Sequence, residues 1–598
     1  MLRLNFFKSY YTIYFVLLTL SIFSPKLSAV DNVSLRWLMV SIVNFLFIGH
    51  IYLTKKTVDF RISLQLKLFI SLFLISIISI IFSINLVESI VSLNKIFIIL
   101  STLICFSLIT HYDQKLLDKL TLVIVLSILF ESIYVYYDLL TSYSTFSGVS
   151  MNRNVSAFSI LLKLPVFFLF RLKNPKKSNL LYLFLELLII SSIILLESRG
   201  AILCLFLIYF FKIFLKNETL RSLFKFLGIM LFLILYVPYS NFLNNKQFVG
   251  SQILLDESVN LRIDFFSNSW DYFLNNPIFG NGIGMWKIIS NQMSIGQVPY
   301  YVHNDFLQFL VETGILGFIC YLFFFLSLFY IVVKKWNRNK SIYFLFIIFI
   351  FFFDSSINFP FHRPQQIIMF TVIVSAFIIP LNNYKKVINK NILLLLLILI
   401  CASTFSSFKE VNASFNENKF RIDLIKKQYT INQEDLSRMD YKFPNLSSNT
   451  VPFSSYISRY YLNQEDYIKA DMMIDYGIGV NPYLSYSKDL KLQSLLMQNK
   501  LLQALQEVKY ILSNRVNSEL YFDIFFTLSQ QLNLENEFIN IYPLISEIGD
   551  EVLTVKYFSY YNNLMTFNKD KFIELISKAI IQFPKSSELN ILLLNLKN

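Results

Sequence analysis

Apolar residues in this chain come in runs of about 20, separated by short polar stretches, as far as residue 407. Runs of that length cross a bilayer as α-helices. The pattern predicts thirteen spans: 11–23, 35–53, 62–84, 91–110, 118–139, 155–170, 180–196, 200–215, 221–238, 304–333, 341–357, 365–381 and 391–407. Arg3 and Lys8 precede the first run and Ser28-Ala29 follow it, which is also how a signal peptide looks. With a dozen spans behind it, it reads as an uncleaved signal anchor.

Beyond residue 407 the long apolar runs stop. The stretch KDLKLQSLLMQNKLLQALQEVKYILSNR, Lys488 to Arg515, reads as two amphipathic helices around Gln498-Asn499-Lys500. Segments near 518–532, 534–546, 551–565 and 568–582 are alike, and Pro482, Pro543 and Pro584 punctuate them. Such a helix-hairpin array is similar to degenerate tetratricopeptide repeats, which present concave surfaces to partners. The expected fold class is all-α: a polytopic membrane helix bundle over 1–407, with a large outer loop at about 239–303, and a soluble helical-repeat domain over 408–598.

Composition agrees, at 55% hydrophobic and 15% charged over 598 residues. Cys105, Cys204, Cys320 and Cys401 each fall in an apolar run and read as packing residues, not as a disulfide framework or metal site. No spacing resembles a zinc site, a P-loop or a Rossmann turn, so neither metal nor cofactor is expected.

The net charge of +14 is uneven. Residues 401–598 hold 20 Lys and Arg against 22 Asp and Glu, which leaves 33 against 17 for residues 1–400. That excess sits in short loops between spans, so it gives orientation and does not indicate nucleic acid. Lys55, Lys56, Arg61 and Lys67 share one loop, Arg171, Lys173, Lys176 and Lys177 another, and Lys385, Lys386 and Lys390 a third. By the positive-inside rule these loops and the N-terminus are cytoplasmic, and the thirteenth span delivers 408–598 outside. The opposite face then gathers Arg153, Arg199, Arg262, His303, His362 and Arg363, although they are more than 200 positions apart in the chain.

Several of these residues have chemical potential. Arg199 lies in ESRGA, a short turn between two spans; alone it reads equally as an interfacial arginine reaching headgroups. In NLRIDFFSNSWDYFLNNPIFGNGIGMW, Ile263, Phe266, Trp270 and Phe273 recur at helical spacing, which predicts an amphipathic helix on the membrane surface with Arg262 at its start. Gly280, Gly282 and Gly284 then predict a tight turn. In VPYYVHNDFLQFLVETGILGF, Asn304 is a good N-cap with Asp305 in the first turn, and Glu312 is expected to face the bundle interior, where it reads equally as a partner for an arginine or as a purely structural residue. His303 would sit at the helix entrance, where the positive helix end favours a neutral imidazole able to take a proton from a hydroxyl. Asn152 and Arg153 read either as substrate-entrance residues or as neighbours of a cap formed by Asn154 and Ser156. Lys163 is placed to pair with Glu131 or Glu186.

The stretch HNDFLQFLVETGILG resembles the signature of the bacterial superfamily of O-antigen ligases, O-antigen polymerases and protein O-oligosaccharyltransferases. LRIDFFSNSWDYFLNNPIFGNGIG resembles its preceding loop element, SRGA its arginine turn and MNRNVSAF an earlier asparagine-rich element; the resemblance covers most of 1–405. It implies a glycosyltransferase without metal or nucleotide sugar. Arg199 and Arg262 would bind the diphosphate of a polyprenyl-linked glycan, and His303 would activate an acceptor hydroxyl on lipid A core, a growing glycan or protein Ser/Thr. His362 and Arg363, in INFPFHRPQQ, are secondary candidates. The tail offers a surface for a protein partner. A lipid-linked-glycan flippase is the competing reading, but no internal repeat of spans is evident. A membrane-anchored scaffold would leave the arginines and histidine unexplained.

Overall fold

The computed structural model describes residues 10–55, 57–109, 114–142, 146–174, 179–216, 257–292, 300–335, 337, 340–379, 385–513, 519–564 and 566–597. The expected span at 221–238 lies outside them. The chain divides into two compact units, 1–287 with 299–422, and 288–298 with 423–598.

The first unit is built on α1 (Tyr10–Ser21), α2 (Val33–Thr54), α3 (Leu64–Ser79), α4 (Leu86–Leu108), α5 (Gln114–Thr141), α6 (Arg153–Lys173), α7 (Asn179–Leu195), α8 (Arg199–Lys216), α9 (Glu257–Asn275), α10 (Asp305–Lys334), α11 (Ser341–Ile357), α12 (Pro364–Ile373) and α13 (Lys390–Lys426). Seven helices among the described residues are long and apolar enough to cross a membrane: α2, α3 with its extension to Phe82, α4, α5, α6, α10 and α13. Shorter apolar helices lie at Tyr10–Ser21, Leu180–Leu195, Ser341–Ile357 and Pro364–Ile378.

Asparagine and serine caps start several of these helices. Ser63, Asn85, Asn152 and Asn304 each accept a hydrogen bond from a backbone N–H three residues on. Buried polar groups then join helices where apolar packing alone discriminates poorly. Asn44 of α2 accepts from Tyr14 of α1 at 2.9 Å and donates to Ser101 and Thr102 of α4. Lys163 pairs with Glu131 at 2.6 Å, both buried. Glu186 takes Arg171 and Tyr209 instead.

Two features add to the sequence reading. The bundle is not wholly helical: Thr57–Arg61 (β1) pairs antiparallel with Lys385–Asn389 (β2), Val58 opposite Ile388 and Arg61 opposite Lys385. Each strand is only five residues long and shows little hydrophobic pattern. Also, the expected boundary at 407/408 falls inside α13, which runs unbroken to Lys426. Polar residues end the apolar run there, but Lys and Glu are good helix formers and do not end the helix.

In the second unit, helices at Phe453–Asn463, Tyr467–Val480, Ser485–Met497, Leu501–Ser513 and Glu519–Gln531 pack each on the next, as in a hairpin array. The segment expected at 534–546 is two short helices, Glu535–Ile539 and Tyr542–Ile548, with Pro543 in the first turn of the second. Phe522, Phe525, Phe538, Tyr557, Phe558 and Phe572 form the centre of its core.

Candidate functional site

The site grows from a break in α10. Gly314 has φ 67° and ψ −169°, outside the helical region. The carbonyls freed around the break accept from the glycine-rich loop: Asn281 N–H donates to Val311 O at 2.9 Å and Gly282 N–H to Glu312 O at 3.1 Å. Ile315 N–H donates to Pro277 O at 2.9 Å. Polar backbone within a membrane bundle requires such partners. Two backbones therefore touch where only glycine fits. A Cβ on Gly314 would lie 2.2 Å from Ile278 O, and one on Gly280 would lie 2.4 Å from the carbonyl carbon of Glu312.

On one side of this joint, α9 packs against α10. Phe265, Ser269 and Phe273 are spaced by four and are buried, while Ile263 and Trp270 point outward. The single apolar face expected from Ile263, Phe266, Trp270 and Phe273 is thus divided between two directions.

On the other side, His303 precedes the capping Asn304. Its backbone takes φ 61°, unusual for a residue with a side chain. Its ring lies 6.2 Å from Phe265 and edge-on to Phe359 at 4.8 Å between centroids. Phe359 belongs to the turn between α11 and α12. Asp305 accepts from Phe361 N–H at 3.0 Å, and Asp354 accepts from Asn358 and Gln366 at 2.8 and 2.7 Å. These buried carboxylates fix the turn, and with it Arg363, whose guanidinium covers Phe359 at 4.8 Å. Burial first, and then the charges of Arg262 and Arg363, hold the His303 pKa down from 6.5 to about 4. The imidazole is therefore neutral at pH 7, and its Nδ1 is buried without a hydrogen-bond partner. Arg363 Nε is in the same condition. A neutral base beside two guanidinium groups can accept a proton while those groups bind an anion.

Arg199 is exposed at the start of α8. Its neighbour Gly200 lies against Ile357, the last residue of α11, so this helix end approaches the Phe359 turn. Arg153 is engaged elsewhere, donating to Glu197 at 2.8 Å and to Phe146 O at 3.0 Å. It secures the turn that presents Arg199. Asn152, not Asn154, caps α6. Among the described residues Glu312 meets no arginine; Gln308 donates to it at 3.2 Å and Trp286 N–H at 3.4 Å, because the glycine loop occupies that side of α10. His362 faces a separate cleft with Glu88, Lys95 and Lys287. Burial, followed by the charges of Lys95, Arg363 and Lys287, holds its pKa down to about 3.

Residues 184–322 match the family model described as O-antigen ligase. This match over part of the chain supports the O-antigen ligase superfamily, whose members are glycosyltransferase-like enzymes. No curated protein matches the chain. The O-antigen ligase segment contains Arg199, Arg262 and His303; His362 and Arg363 lie beyond it.

Sequence reasoning missed several neighbours of this site. Arg36 of α2 is buried, donates to Ser24 O and Val149 O, and lies within electrostatic range of Arg363. Lys95 sits inside an apolar run, and so does Arg36; a charge in such a run was the available signal for both. Tyr301, stacked on Phe359 at 4.5 Å, carried no signal at all.

Proposed function

We propose that the protein moves a polyprenyl-diphosphate-linked glycan onto an acceptor hydroxyl at the periplasmic face of a bacterial inner membrane. The observation that supports this reading is His303 itself: its Nδ1 is buried without a hydrogen-bond partner, its ring meets the Phe359 that Arg363 covers, and it lies within electrostatic range of Arg262. Arg262 and Arg363 bind the donor diphosphate, and Arg199 reaches it from the start of α8. The acceptor oxygen attacks the anomeric carbon as the carbon–oxygen bond to phosphate breaks, and configuration inverts. The acceptor proton passes to His303, and the electron pair leaves with the polyprenyl diphosphate, whose growing charge the guanidinium groups stabilise. These groups supply the electrostatic role that a metal ion would otherwise take.

Donor binding also prepares the base. The diphosphate offsets the two arginine charges that depress His303, so its basicity rises once the donor is seated. The outward Ile263 and Trp270 of α9 rest in the lipid interface above the bundle. The thirteen-span topology, with the tail in the periplasm, lets the tetratricopeptide-like array recognise a bulky acceptor, and protein Ser/Thr is favoured over lipid A core on that ground. A polymerase using a growing glycan as acceptor is the alternative.

The test is transfer from extracted lipid-linked glycan by full-length protein in proteoliposomes. His303→Ala should lose transfer by about 10²–10⁴-fold while keeping donor affinity. Full activity in that variant would end the base assignment. A deletion strain compared for lipopolysaccharide ladders and for glycoprotein glycans identifies the acceptor by which product disappears.

A further inference from the structure

We propose that the cleft bounded by Glu88, Lys95, Tyr301, Phe361 and His362 is a subsite for a neutral sugar residue, distinct from the position where the diphosphate is held. This inference rests on the glycan-transfer reading above and adds a ligand class and a location to it.

The cleft lies between the start of α4, the glycine-rich loop and the first turns of α10. It is linked to His303 by a chain of rings. His303 meets Phe359, Phe359 stacks on Tyr301, and Tyr301 lies 4.7 Å from His362. One imidazole therefore touches each member of the Tyr301–Phe359 stack, and His362 opens on the cleft while His303 does not line it.

The charges on the two sides of this stack differ. In the cleft, Lys287 pairs with Glu88 at 2.7 Å and Lys95 with Glu410 at 3.4 Å. His362 is neutral. Each ammonium is matched by a carboxylate, so a diphosphate gains no net attraction there. Beside His303, Arg262 and Arg363 act together on the imidazole, and Arg363 has no carboxylate partner among the described residues. The anion belongs on that side.

What the cleft offers instead is many hydrogen-bonding groups at near-balanced charge. An ammonium has three donors and a carboxylate about four acceptor sites, so ion pairing leaves capacity at Lys95 and Glu88. Ser92 already donates to Glu88 at 3.1 Å and adds a hydroxyl. Tyr301 and Phe361 supply aromatic faces. Dense donors and acceptors beside rings suit a polyhydroxylated, uncharged ring with apolar C–H faces. The sugar comes either from the donor glycan or from a glycan acceptor.

The experiment uses full-length protein in detergent. Wild type, Ser92→Leu, Tyr301→Ala and Tyr301→Phe are titrated with bare undecaprenyl diphosphate and with the same lipid carrying its glycan. Ser92→Leu fills the cleft; the Tyr301 pair separates loss of the ring from loss of its hydroxyl and serves alone if Ser92→Leu does not fold. If the donor supplies the sugar, wild type binds the glycan-bearing lipid about tenfold more tightly than the bare lipid. Ser92→Leu and Tyr301→Ala lose that preference, and Tyr301→Phe keeps most of it. If the acceptor supplies it, those titrations match, but Ser92→Leu and Tyr301→Ala raise the acceptor KM about tenfold with the donor KM unchanged. Folded variants equal to wild type in both arms overturn the subsite alone. A wild type that neither binds bare undecaprenyl diphosphate nor transfers glycan overturns the transferase reading, and the subsite with it.

Discussion

Gly314→Ala puts the joint between α10 and the glycine-rich loop under direct test. The new methyl group would sit 2.2 Å from Ile278 O, so one backbone must retreat by about an ångström. That retreat breaks the hydrogen bonds Ile315–Pro277, Asn281–Val311 and Gly282–Glu312. Each contributes about 0.5–1.5 kcal/mol net, and a left-handed alanine adds about 1 kcal/mol of strain. The summed loss is about 2.5–5.5 kcal/mol. The assay is thermal unfolding of the purified full-length protein, with limited proteolysis across residues 276–286. The expected result is a midpoint several degrees lower, faster cleavage in the loop and reduced glycan transfer, since the loop orients α9 and Arg262. Gly479→Ala is the control: its Cβ has no neighbour within 4 Å, and a helical Gly→Ala change is neutral or stabilising. Wild-type midpoint and cleavage rate in Gly314→Ala would refute the argument that the two backbones need glycine to meet.

Other outcomes follow from the site. His303 is neutral above about pH 5 in the free protein, so kcat/KM should fall only as pH drops through about 4. Because the bound diphosphate raises its basicity, the acid limb of kcat should lie at higher pH; coincident limbs would contradict that coupling. Arg262→Gln should move the kcat/KM limb upward, since it removes a charge that opposes protonation. Both histidines have folded pKa values below 6.5, so the unfolded chain binds more protons: their stabilisation is complete above pH 6.5 and is lost as pH falls toward 4 and then 3. Melting points measured from pH 7 to 4 should decline, less so in His303→Gln. Asp354→Ala strands the Asn358 and Gln366 amides and should cost about 2–5 kcal/mol, with looser donor binding through Arg363; an unchanged donor Kd would show that the turn does not position that arginine.

Much of this was readable from the chain because it is local. A twenty-residue apolar run, an asparagine before a helix and three alternating glycines each state their structure within a few positions. The convergence of His303 with Arg262 was accessible only through sidedness. Arg363 was secondary in the sequence and proves to be one of the two guanidinium groups acting on His303, because its position depends on Asp305 and Asp354, 58 and 9 residues earlier. Glu312 read equally as a partner for an arginine or as a structural residue, and its partners are Gln308 and Trp286 N–H. Nothing in its neighbours announced that a loop from residues 277–286 would cover it with N–H donors. The divided face of α9 has the same origin: periodicity counts apolar positions but does not say which of two neighbours each one meets.

The small ribbon of Thr57–Arg61 and Lys385–Asn389 has a consequence for biosynthesis. Its first strand leaves the ribosome about 330 residues before its second. At a synthesis rate of about 5–20 residues per second, the early strand waits roughly 15–65 s with its hydrogen-bonding edge open. Closing the clasp is therefore among the last events in assembling the bundle, after nearly every span has been inserted.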